Sequence, residues 1–175
     1  MAHGSGVGRA PGVELEVAGL RDLSLRVSLY LVSVMVLSFF LGAVFLGVWR
    51  GEAGRLLGIA LIGAAGSAVA ALTSCLDRYA NGFELELTGD KVPPAKDGGK
   101  KETFNRRMAR WFYFRPLLGL VVAPVFVWGL ELFTDQASRF TSSVGKLGFS
   151  AFMGGLLAKS VIDLIKGLFK NVFKA

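Results

Sequence analysis

The chain has 175 residues, of which 53% are hydrophobic, and it carries a net charge of +7 with a sequence pI near 9.9. A mean hydropathy of +0.52 is typical of a membrane protein and not of a soluble domain. With one cysteine, Cys75, and one histidine, His3, the chain can form no internal disulfide and has no Cys/His set for zinc.

Residues 1–26 form a predicted cytoplasmic N-terminal segment. Within this segment, residues 13–17 (VELEV) alternate apolar and acidic side chains with the period of a strand. Residues 83–87 (FELEL), in the loop after the second membrane helix, repeat the pattern. Two interpretations remain open. The two stretches pair as a two-stranded ribbon, or they are short lead-ins that never meet.

Residues 27–76 contain the first two predicted membrane helices. The uncharged run 27–49 would be about 35 Å long as a helix, enough to cross ~30 Å of hydrocarbon, and a second uncharged run covers residues 56–76. Phe39 and Phe40 make the first helix bulky, so we expect it to face lipid. Small residues such as Gly63 and Gly66 crowd the second helix and predict close packing at the centre of a bundle.

Residues 77–115 form a predicted basic loop that ends in an amphipathic helix. Its aromatic residues 111–114 (WFYF) are typical of a membrane interface. Asp77, Arg78 and Arg115 are predicted to anchor the inner interface. Pro116 is predicted to open the third membrane helix, because proline suits the first helical position. Pro124 predicts a kink in that helix.

Residues 116–175 contain the third and fourth predicted membrane helices and a basic tail. The fourth uncharged run, residues 147–158, is too short to span unless the helix continues past Lys159. With four spans, sixteen Lys and Arg residues lie on one side and four on the other. This asymmetry predicts an integral protein of a bacterial inner membrane or plasma membrane, with both termini cytoplasmic. In the alternative, the last helix lies on the surface and the tail is on the outer side.

Along one face of the fourth helix, small residues in the first half are followed by charged residues in the second half. Its members recur every three or four residues: Gly148, Ala151, Gly155, Lys159, Asp163, Lys166 and Lys170. Three interpretations remain: Lys159 and Asp163 neutralise each other, the face lines a water-filled path, or the basic tail binds anionic lipid. Gly154 lies on a neighbouring small-residue face that predicts packing.

Glu131 lies near the predicted outer boundary. It is expected to form an ion pair with a basic residue on that side; the candidates are Arg50, Arg55, Arg139 and Lys146. A ring of Glu131 side chains that selects cations is the sharper alternative.

The chain contains no phosphate-binding loop, nucleophile elbow or paired metal-ligand motif. We therefore expect no catalysis, no cofactor, no bound metal and no nucleic-acid partner. The predicted fold is an all-α polytopic membrane protein with a four-helix bundle. The first functional hypothesis is a homo-oligomeric channel or pore lined by the fourth helix. The alternative is a non-conducting scaffold or regulatory subunit that binds a partner or anionic lipid through its cytoplasmic loop and tail.

Overall fold

The computed structural model of the chain describes residues 11–49, 51–84, 91–92, 103–133 and 143–163, and most of these residues are helical. In chain order the elements are α1 (Pro11–Val48), α2 (Glu52–Ala80), β1 (Phe83–Glu84), β2 (Lys91–Val92), α3 (Arg106–Phe133) and α4 (Val144–Leu156). Residues 158–163 are helical again after a turn at Leu157.

Three of these helices, α1, α2 and α3, are long and apolar enough to cross a membrane. With its 13 residues, α4 is only about 20 Å long and cannot span alone. The helical class and three of the four predicted spans are therefore supported by the structure. The predicted four-helix membrane bundle is not established by helix length.

The small residues of α2 place it at the centre of the bundle, where it contacts α1, α3 and α4. In its most apolar window 56% of the residues are buried, against 17% in that of α1. Phe40 on α1 is 71% exposed. The prediction of a central second helix is therefore confirmed in its packing, and the first helix is the more exposed of the two.

Two apolar clusters lie at opposite ends of the bundle. One joins Leu46 of α1, Ile59 of α2, Val127 of α3 and Leu147 of α4. The other is lined by the early part of α1, the late part of α2 and the start of α3, and its members include Val27, Cys75, Phe104 and Phe112. We call the second end the basic end, because Arg26, Arg78 and the arginines of early α3 lie there.

The ribbon interpretation is wrong for residues 13–17, because these residues lie in the first two turns of α1. The observed ribbon pairs Phe83 with Val92 and Glu84 with Lys91, antiparallel, between two segments of the loop. Phe104 bridges to Phe83 and closes this small unit over the basic end. Residues 85–87, the rest of the second predicted strand, lie outside the described residues.

Pro116 does not open α3, contrary to the prediction, since the helix begins ten residues earlier at Arg106. Pro116 and Pro124 both lie inside an unbroken helix assignment. Each proline removes one backbone donor. Two carbonyls near Pro116, other than the one that this proline leaves without a backbone donor, accept side-chain hydroxyls. Tyr30 donates to the Tyr113 oxygen at 3.2 Å, and Ser67 donates to the Arg115 oxygen at 2.8 Å.

Candidate functional site

The small-residue face of α4 packs onto the central helix. A side chain added at Gly155 would overlap the backbone carbonyl of Gly63, and one added at Gly66 would lie 3.0 Å from the Leu156 nitrogen. Ala151 is fully buried in the cluster at the end opposite the basic end. This half of the face predicted to line a path is therefore filled by α2, and the described residues leave no lumen along it.

Gly154 confirms its predicted packing role on the neighbouring face. A Cβ atom there would lie 2.9 Å from a ring carbon of Phe126 on α3. The glycine pair at residues 154 and 155 thus allows α4 to approach α3 and α2 at the same level. Since lipid supplies no hydrophobic drive for helix association, such close contacts carry the packing energy.

The continuous helical face predicted from Gly148 to Lys170 is interrupted at Leu157. The regular helix ends at Leu156, and Leu157 adopts φ −85° and ψ −2°. Helical hydrogen bonding resumes from Val161, whose amide donates to the Leu157 oxygen at 3.0 Å. Gly155 and Lys159 therefore belong to two helical pieces, separated by a turn.

Lys159 and Asp163, which one interpretation paired, form no direct ion pair in the part of the chain that the structure describes. Among the described residues the ion pairs within 4.0 Å include no contact between these two side chains, although both are exposed. Asp163 lies instead within electrostatic range of Arg115. Lys166 and Lys170 lie outside the described residues.

Arg115, which was expected to anchor the inner interface, is a buried charged residue. It is only 6% exposed and lies between α3 and α2. Its Nη1 donates to the Ser74 hydroxyl at 3.0 Å, and Arg78 also lies within electrostatic range. Arg78 is half-buried, whereas Asp77 is exposed and consistent with an interfacial position.

The sequence did contain a signal for this buried arginine. Ser67 and Ser74 are seven residues apart, so they lie on one face of α2 two turns apart. Both contact Arg115, one through its backbone oxygen and one through its side chain. Two hydroxyls on the crowded face of a central helix indicate a polar partner, because buried polar groups are normally hydrogen-bonded.

Glu131 forms the predicted ion pair at the end opposite the basic end. Its Oε1 lies 3.6 Å from Nη2 of Arg55, and both side chains are partly exposed. This pairing within one chain confirms the simpler of the two interpretations. It gives no support to a cation-selecting ring, because the carboxylate is already engaged by a guanidinium.

A continuous exposed stripe runs along α3. Apart from the adjacent Arg110 and Trp111, its successive members are three or four residues apart, and all are exposed: Arg107, Arg110, Trp111, Phe114, Leu117, Val121, Val125, Trp128 and Leu132. We call this set the α3 outer stripe. Only Trp111 and Phe114 of the predicted aromatic cluster belong to it, because Phe112 is 1% exposed inside the basic-end cluster.

The part of the chain that the structure describes contains no group of three His, Cys, Asp or Glu side chains that could hold a metal. Cys75 is buried, with its sulfur 3.9 Å from the Ser28 hydroxyl, and packs in the basic-end cluster.

A shallow apolar groove of about 550 Å³ follows a single face of α1 and includes Val36 and Phe40.

The chain matches no protein-family model, no curated protein and no solved structure.

Proposed function

We propose that the chain crosses the bilayer four times and that its fourth crossing is a broken helix. Leu147, near the start of α4, packs against Leu46 and Val127 at one end of the bundle. Asp163, after the break, lies near Arg115 toward the basic end. Residues 144–163 would cover about 30 Å as a helix, which matches the hydrocarbon thickness.

The break itself is compatible with this placement. Non-helical backbone is tolerated at membrane depth where protein covers it. The turn follows Leu156, whose amide lies directly against α2 at Gly66. With four crossings, the sixteen basic residues of the two termini and the loop lie on one side, which is cytoplasmic by the positive-inside rule.

For the function, we propose a non-conducting membrane scaffold whose cytoplasmic face binds anionic phospholipid. One observation favours the scaffold over the channel. The face that would have lined a path is packed against the backbone of α2 at Gly63 and Gly66. A helix whose small residues serve contacts within its own chain is no longer available to line a pore in an oligomer.

The charge distribution supports the lipid part of the proposal. Anionic lipids give the cytoplasmic leaflet a negative surface potential, and each nearby Lys or Arg gains about 1 kcal/mol from it. The chain concentrates arginines at the basic end, on early α3 and late α2. A channel remains the second hypothesis only in the form of an oligomer that conducts between protomers, because the described helices close the protomer's interior.

Reconstitution into planar bilayers and into nanodiscs tests the proposal. We expect no current from protein whose oligomeric state has been verified by cross-linking. We also expect nanodiscs made from mixed lipids to retain phosphatidylglycerol over phosphatidylcholine around the protein. Currents whose ion selectivity reverses in Lys159→Glu would establish the channel instead. Equal retention of the two lipids would refute the lipid function.

A further inference from the structure

We propose that Arg107, Arg110 and Trp111 at the start of α3 form a binding site for the phosphate of an anionic phospholipid. This inference rests on the membrane function proposed above and assigns it to particular residues. It concerns a place on the described helices and does not depend on the basic tail or the loop.

The first argument is the direction in which the two arginines face. Arg107 and Arg110 begin the α3 outer stripe, which continues through Phe114, Val121 and Trp128. Residues three and four apart share one side of a helix. The rest of this stripe is apolar and exposed on a helix long and apolar enough to cross a membrane, so it would contact lipid in the proposed four-span arrangement. The two guanidinium groups therefore point toward lipid molecules and not toward open water.

The second argument is depth. Trp111 and Trp128 lie on the same stripe, 17 residues or about 26 Å apart, and tryptophan prefers the two membrane interfaces. Their separation is close to the ~30 Å thickness of the hydrocarbon. Arg107 lies one turn, about 6 Å, beyond Trp111. This is the level of the lipid phosphates, with Arg110 at the boundary beside the indole.

The third argument is chemical. A guanidinium presents a planar fork of donors that fits a phosphate with two hydrogen bonds, and two such groups lie here one turn apart. Among the described residues neither Arg107 nor Arg110 has an ion-pair partner. Arg26 on α1 differs, since its Nη2 is 2.7 Å from the Asp22 carboxylate. Arg26 lies one turn from Tyr30, whose ring contacts that of Tyr113 on α3. Arg26 is therefore near the level of the two α3 arginines along the bundle.

Tryptophan quenching by brominated lipids tests the site directly. Trp49→Phe with Trp128→Phe leaves Trp111 as the reporter, whereas Trp49→Phe with Trp111→Phe leaves Trp128 at the other end of the same stripe. Each protein is reconstituted with phosphatidylglycerol or phosphatidylcholine brominated on the upper acyl chain. We expect Trp111 to report at least about a fivefold preference for phosphatidylglycerol, equivalent to one nearby cationic side chain. Trp128 should report no preference.

The matched variants assign the preference to the two arginines. Arg107→Gln with Arg110→Gln should reduce the Trp111 preference to about one, while Arg26→Gln should leave it unchanged because Asp22 already engages that side chain. An unchanged preference in the double variant would overturn the site. So would displacement of the lipid by millimolar glycerol phosphate, because the site would then accept a soluble anion.

Failure of the site and failure of the function are distinguishable. If Trp111 reports no preference while nanodiscs still retain phosphatidylglycerol, the anionic lipid binds elsewhere and only this assignment is wrong. If neither measurement detects a preference, the proposed lipid function is wrong as well. Circular dichroism and size-exclusion elution confirm that each glutamine variant is folded.

Discussion

At the residue scale, Gly63 is the point where three helices meet. A methyl group there would overlap the Ala123 side chain and lie 2.6 Å from the Gly119 carbonyl, and Gly155 approaches from the other side. We expect Gly63→Ala to destabilise the protein by about 1–3 kcal/mol, because backbone atoms cannot move aside as a flexible side chain can. Unfolding titrations in sodium dodecyl sulfate in mixed micelles provide the measurement.

Gly129 on α3 supplies the control at this scale, because a Cβ atom there would have no neighbour within 4 Å. Gly129→Ala should be neutral or stabilising by up to about 1 kcal/mol, the helix-propensity difference between the two residues. Phe40→Leu, on the lipid-facing side of α1, should also be mild. Similar losses at Gly63 and Gly129 would mean that α2 is not the packing centre.

At the scale of elements, the sequence predicted α1 and α2 well, because uncharged runs of more than twenty residues have few alternatives to a membrane helix. It failed at residues 13–17, where a short alternation was outweighed by helical spacing that continues through Leu20, Val27 and Leu31, all fully buried. It also missed the break in the last helix. The signal was the pair Gly154–Gly155, a sequence feature at which helices bend sharply.

An acidic side chain after that break lies near a buried arginine, which gives a second test. Asp163 lies within electrostatic range of Arg115, whereas Lys159 is exposed and one turn away. Asp163→Lys should cost about 1–3 kcal/mol, since it brings a third cation to a partly buried cluster, while Lys159→Glu should change stability by less than about 0.5 kcal/mol. The same unfolding titration measures both. Equal effects of the two reversals would restore the mutual Lys159–Asp163 pair.

At the scale of the whole molecule, the direction of the last segment decides the topology. The sequence could predict the charge asymmetry, but it could not decide the fourth crossing, because a 12-residue apolar run is short for a span. The structure adds that α4 packs beside α2 and α3 from one apolar cluster toward the other. These contacts with both helices support the proposed fourth crossing.

Cysteine accessibility on a Cys75→Ser background tests this topology. Single cysteines replace Lys96 in the long loop and Lys174 in the tail, and a membrane-impermeant maleimide is applied to intact cells and then to inverted vesicles. Four crossings place both positions on the cytoplasmic side, so both should react only in inverted vesicles, because an even number of helices returns the chain to its starting side. A cysteine between α1 and α2, at Gly51, should react only in intact cells. Labelling of position 174 in intact cells, with position 96 protected, would mean that the segment after the break turns back or lies on the surface. That outcome would also move the tail's lysines to the outer leaflet and leave the basic end with the N-terminal segment and the loop.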